Sequence, residues 1–108
     1  MANILIVDSD LPNAKELGLN LQRRGHKVNI ANPSNALLTR RLEPHLIDLV
    51  IVDVTYLKDE GWRELRRICQ LSTRDYLPVQ VLCCSKVYRG ARFELEIERL
   101  GARFVYER

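Results

Sequence analysis

The residues that mark specialised proteins are scarce in this sequence. It holds three cysteines, four prolines, five glycines, two histidines, one tryptophan and one methionine among 108 residues. No apolar run approaches the ~18–20 residues of a membrane span. Cys69, Cys83 and Cys84 are odd in number and lack metal-ligand spacing, which excludes a disulfide scaffold or zinc ribbon. Reduced thiols in the cytoplasm are the expectation. His26 and His45 have no ligand partner in the pattern around them and read as surface residues. Few prolines and glycines, with no repeats and no linker-like stretch, leave no place for a domain boundary, so residues 1–108 read as a single domain. The amino terminus, MANILIVDSD, lacks a basic region before its apolar residues; it reads as a strand rather than a signal peptide.

Charge is also unremarkable. Seventeen basic residues against fourteen acidic ones give a formal net charge of +3. That excess, spread along the chain, gives no reason to expect a nucleic-acid partner. A hydrophobic content of 46% with 29% charged residues is that of a folded chain, not of a disordered one.

What the sequence does have is short apolar runs that end on acids. Leu49-Val50-Ile51-Val52 runs into Asp53, followed by polar residues and Gly61. The run is continuous rather than alternating, as expected of a strand buried on both faces in a parallel sheet. Ile4-Leu5-Ile6-Val7 ends in the same way on Asp8. Ser9 or Asp10 can cap the helix that follows, with Pro12 in its first turn, Ala14, Leu17 and Leu21 on one face, and Gly25 as its stop.

The chain then offers a short strand, His26 to Ala31. A second helix is expected after Ser34, carrying Leu38 and Leu42 and ending at Pro44. Trp62, Leu65, Ile68 and Cys69 recur at helical spacing, with Arg63, Arg66 and Arg67 on the rest of the turns as a hydrated outer face. Pro78 opens a strand from Val79 to Cys84. Residues 91–100 fit both periods; their glutamates and the Gly101 stop favour a helix. Arg103 to Glu107 reads as a last strand. Strands alternating with helices give an α/β fold with a parallel sheet and right-handed crossovers. The doubly wound, flavodoxin-like form of that fold, a five-stranded sheet in order 2-1-3-4-5, brings strands 1 and 3 together at the topological switch point. Asp8 and Asp53 would then stand side by side. Two adjacent carboxylates call for a shared proton or a cation, and Mg²⁺ suits such oxygen ligands. An Asp at that edge can also accept a phosphoryl group.

At these residues the chain resembles the receiver domain of bacterial two-component response regulators. The stretches ILIVDSD (4–10), DLVIVDVTYLKDEG (48–61), LPVQVLCCS (77–85) and GARFVYER (101–108) carry the resemblance, which covers essentially the whole chain. It implies Asp53 as phosphoacceptor, with Asp8, Asp53 and the backbone carbonyl of Thr55 as ligands of Mg²⁺. It further implies a sensor histidine kinase or histidine phosphotransfer protein as donor, and a downstream protein partner. Several positions depart from the family pattern. The second acid after strand 1 is Ser9, with Asp10 as a further candidate ligand one residue on. Leu57 replaces a proline, and the hydroxyl ending strand 4 becomes Cys83. Val105 takes the aromatic position, with Tyr106 beside it, and the lysine ending strand 5 falls on Arg108. The usual last helix is missing, so either the 108 residues are a fragment or a second copy or another domain covers the sheet face left bare, and self-association is the expectation.

Three other readings compete. A phosphorylation-independent pseudo-receiver, acting as an interaction module, differs only in the acid pocket. Asp8-Ser9-Asp10 also resembles the nucleophile motif of haloacid-dehalogenase-type phosphatases, but Pro12 stands where that family has a threonine, so no enzyme is expected. A redox pair of Cys83 and Cys84 is disfavoured because neighbouring strand residues point to opposite faces.

Overall fold

The chain is described by a computed structural model over residues 2–31, 47–55, 59–74, 80–87 and 90–106. Within these ranges lie β1 (Asn3–Val7), α1 (Leu11–Arg23), β2 (Lys27–Ala31), β3 (Leu49–Asp53), α2 (Asp59–Arg74), β4 (Gln80–Ser85), α3 (Ala91–Arg99) and β5 (Arg103–Tyr106). The strands form one sheet in the order β2-β1-β3-β4-β5, with every pairing parallel. This is the flavodoxin-like order expected from the alternation of runs. The helix expected between Ser34 and Pro44 lies outside the described residues, as do Leu57 and Arg108.

Continuous apolar runs become the central strands because both of their faces are covered. Leu5, Val7, Val50, Val52, Val81 and Cys83 pack on one side with Leu65, Ile68 and Cys69 of α2 and Ile97 of α3. Trp62, Phe93 and Phe104 border this core through edge-on ring contacts, with Trp62 and Phe93 centred 5.5 Å apart and Phe93 and Phe104 5.8 Å. On the other side, Ile4, Ile6 and Ile51 pack with Ala14, and with the half-buried Leu17 and Leu21 of α1. Leu19, off that helical face, is 53% exposed.

The helix ends follow from local chemistry. The Asp10 side chain accepts the Asn13 N–H at 3.2 Å, capping α1, and Pro12 sits in the first turn where its missing N–H costs nothing. Gly25 closes α1 with a φ of +92°, a left-handed conformation that a residue with a Cβ adopts only with strain. Residues 91–99 are helical, so the side chains at Phe93, Ile97 and Leu100 present one apolar stripe to the core.

Candidate functional site

The register of β1 on β3 positions the two acids. Val7 pairs with Val52, so the next residue of each strand, Asp8 and Asp53, emerges at the same carboxyl edge of the sheet. By strand alternation both follow Ile6 and Ile51 to the face carrying α1. They line one small cavity of about 60 Å³ together with Ile6, Asn13, Leu17, Ile51 and Cys84.

The two carboxylates are held differently. Asp8 is 6% exposed, and both of its oxygens are engaged. Oδ1 accepts the Asp10 N–H at 2.8 Å and Oδ2 accepts the Asn13 side-chain amide at 2.9 Å. These two hydrogen bonds satisfy the buried carboxylate and fix its orientation. Asp53 is half-buried. Its Oδ1 accepts the Thr55 N–H at 2.8 Å, which fixes the side chain's direction, and its second oxygen accepts no hydrogen bond from the described residues. Thr55 is itself buried, and its hydroxyl oxygen accepts the Lys86 N–H at 3.0 Å. A third tie, the Val54 N–H to the Cys84 carbonyl at 2.8 Å, completes the link from β3 to the end of β4.

Asp10 does not line the cavity. One of its oxygens caps α1, and the other meets the Lys86 ammonium at 3.1 Å. The Asn13 backbone N–H, then the Lys86 hydrogen bond, hold the Asp10 carboxyl below the usual carboxylate range. Slight burial pulls the Lys86 ammonium down, but the hydrogen bond to Asp10 and the charges of Asp10, Asp53 and Asp8 together raise it above its ordinary value.

The sequence-derived site residues thus divide. Asp8 and Asp53 come together, and Thr55 stands beside Asp53. Asp10 faces Lys86 instead of the cavity, and Ser9 is exposed. Cys83 is displaced from the expected role. Asp53 pairs with Cys84, and it is Cys84 that shares the face and the cavity of the acids. Cys83 points the other way into the core, fully buried, and its thiol is pushed far up by desolvation, with smaller contributions from Cys69 and Cys84. Asn13, Cys84 and Lys86 were missed. Asn13 had a signal, since a side-chain amide five residues after Asp8 falls in the first turn of the helix that follows the strand end. For Cys84 and Lys86 only the register decides.

Carboxylate oxygens from two strands, bordering a space larger than one water needs, suit a hydrated Mg²⁺, which takes one or two carboxylates and keeps several waters. Among the described residues no three His, Cys, Asp or Glu side chains converge as a ready-made metal cage.

Comparison with solved structures agrees with this architecture. A response regulator receiver domain protein from Clostridium thermocellum superposes with a TM-score of 0.78 at 21% identity, covering 99% of this chain and 82% of that one. The fold is that of a response regulator receiver domain. The chemotaxis protein CheY4 of Vibrio cholerae is similarly receiver-like, with a TM-score of 0.75, 20% identity and coverage of 99% and 85%. The receiver fold is also shared with a pilus assembly-related protein of Burkholderia pseudomallei, at a TM-score of 0.75, 21% identity and coverage of 98% and 78%. No protein-family model matches the chain, and no curated protein matches it by sequence. Among the described residues no helix is long and apolar enough to cross a membrane.

Proposed function

We propose that this chain is a phosphoacceptor receiver module with an atypical acid pocket, working in the cytoplasm in a two-component phosphorelay. The observation that carries the reading is the state of Asp53: one oxygen pinned by the Thr55 N–H, the other without a hydrogen bond from the described residues, in a cavity shared with Asp8. The pinned oxygen aims the second at an incoming phosphorus atom, which is the positioning that phosphoryl transfer needs. The second oxygen forms a bond to phosphorus while the phosphorus–nitrogen bond of a phosphohistidine donor breaks. The electron pair of that bond stays on the imidazole nitrogen, and the product is an aspartyl phosphate. The donor is a sensor histidine kinase or a phosphotransfer protein, and output passes to a downstream protein partner by contact.

Asp8, Asp53 and the Thr55 carbonyl would hold Mg²⁺, which when bound offsets the negative charge gathered around the phosphoryl group. The two hydrogen bonds that Asp8 accepts keep its side chain from rotating away. Ser9 and the outward-turned Asp10 leave the pocket one ligand short of three acids, so Mg²⁺ affinity is weak. The same shortage favours the second reading, a pseudo-receiver that binds partners without phosphorylation.

Backbone NMR with Mg²⁺ and beryllofluoride, a phosphoryl stand-in that sits on a carboxylate oxygen, separates the two. The receiver reading expects the amide signals of Asp10, Thr55 and Lys86, at three strand ends, to move together, and Asp53→Asn to abolish the change. A spectrum unchanged by beryllofluoride at saturating Mg²⁺ would leave the pseudo-receiver.

A further inference from the structure

Close to the two acids, the described residues include a cation, Lys86, that the sequence pattern did not single out. Lys86 follows β4, and its backbone is tied down. Its N–H donates to the Thr55 hydroxyl oxygen at 3.0 Å, and the Thr55 N–H donates to Asp53 at 2.8 Å. One residue therefore separates the Lys86 main chain from the Asp53 carboxylate. The side chain is more loosely tied. Its ammonium pairs with Asp10 at 3.1 Å, and the two side chains are 39% and 49% exposed. A pair this exposed holds its partners weakly and exchanges readily. Lysine's ammonium carries three donors on a flexible stem, which lets it trade one carboxylate for another anion nearby.

A phosphoryl group on Asp53 changes the competition. It brings about −1.5 to −2 charges and three acceptor oxygens to a point beside the Lys86 anchor. Asp10, with one charge, is the weaker partner, and it keeps its place without Lys86 because its other oxygen still caps α1 through the Asn13 N–H. Only the lysine side chain has to turn; the Thr55 tie is made by the backbone and persists.

We propose that Lys86 is the phosphoryl-binding cation of this site, held in reserve on Asp10 and exchanged onto Asp53 when Asp53 carries the phosphoryl group. The strand-4 end thus supplies the counter-charge. The inference rests on the reading of Asp53 as phosphoacceptor.

The test is a calorimetric titration of the full chain with beryllofluoride at saturating Mg²⁺, for the wild type, Lys86→Met, Asp10→Asn and the double variant. Asparagine caps helices as well as aspartate, so Asp10→Asn leaves α1 intact. Lys86→Met should weaken beryllofluoride binding about tenfold or more, the loss of a charge-assisted hydrogen bond. Asp10→Asn should tighten it by about threefold, because the competitor for Lys86 is gone. In the Lys86→Met background that gain should vanish, which a purely general charge effect would not produce. Lys86→Met binding within about twofold of the wild type would overturn the assignment while leaving the phosphoacceptor reading in place. Weaker binding by Asp10→Asn would overturn it too, and would return Asp10 to the Mg²⁺ ligands. A wild-type chain that takes no beryllofluoride would remove both the phosphoacceptor reading and this one.

Discussion

The two faces of the sheet are covered to different degrees. Under α2 and α3, Leu5, Val7, Val50, Val52, Val81 and Cys83 are all buried. On the α1 face Ile4, Ile6 and Ile51 are buried, but Leu49, Leu82 and Cys84 are only half-buried, and Val105 at the far edge is 49% exposed. Asp8 and Asp53 belong to the second face. A buried polar group needs water or hydrogen-bond donors, and these reach the second face. Among the described residues, the two acids thus lie on the less completely buried side of the sheet.

The largest expected effect tests whether the dry face carries the stability. Leu65→Ala, at a fully buried site in α2, should cost about 2–5 kcal/mol in urea denaturation. Leu82→Ala, half-buried on the opposite face, should cost about half as much. Equal losses would break the comparison.

Adjacent cysteines sharpen it. Cys83→Ser places a hydroxyl in a fully buried apolar site and should destabilise the chain by about 1–3 kcal/mol, whereas Cys84→Ser should stay within about 0.5 kcal/mol. Iodoacetamide followed by mass spectrometry should label Cys84 first. Cys69, whose thiol burial pushes up to about 11, and Cys83, pushed higher still, should react only on unfolding. Native labelling of Cys83 at the rate of Cys84 would contradict the assigned register.

A smaller effect concerns pH. The folded-state pKa of Asp10 is lowered, so its contribution to stability is fully present above the ordinary carboxylate value and is lost as pH falls through the lowered one. Lys86 has the opposite sign: its raised value stabilises below the ordinary lysine range, and that contribution is lost as pH rises beyond it. Asp10→Asn should flatten both limbs of a thermal-stability profile, and an unchanged acid limb would show that the pair contributes nothing.

Much of this was legible because apolar runs ending on acids are local signals. Ile4–Val7 into Asp8 and Leu49–Val52 into Asp53 are visible without a structure, and alternation with helices orders the strands. The stretch from Ala91 to Arg99 was decided by its glutamates and by Gly101, which is also local. Cys83 against Cys84 was not legible in this way. The resemblance puts Cys83 at the hydroxyl position ending strand 4, whereas the register pairs Asp53 with Cys84, and a slip of one residue moves a side chain to the other face. Lys86 is an exposed residue with no periodicity. Its importance lies in a hydrogen bond to Thr55, thirty-one residues away, and in the carboxylates that fold in around it.

The central claim is that the second oxygen of Asp53 receives a phosphoryl group. Incubation with acetyl phosphate and Mg²⁺, borohydride trapping and tandem mass spectrometry address it residue by residue. The account predicts one modified position, Asp53, and no modification in Asp53→Asn. A chain that stays unmodified, or one modified at Asp8 or Asp10 instead, would contradict it.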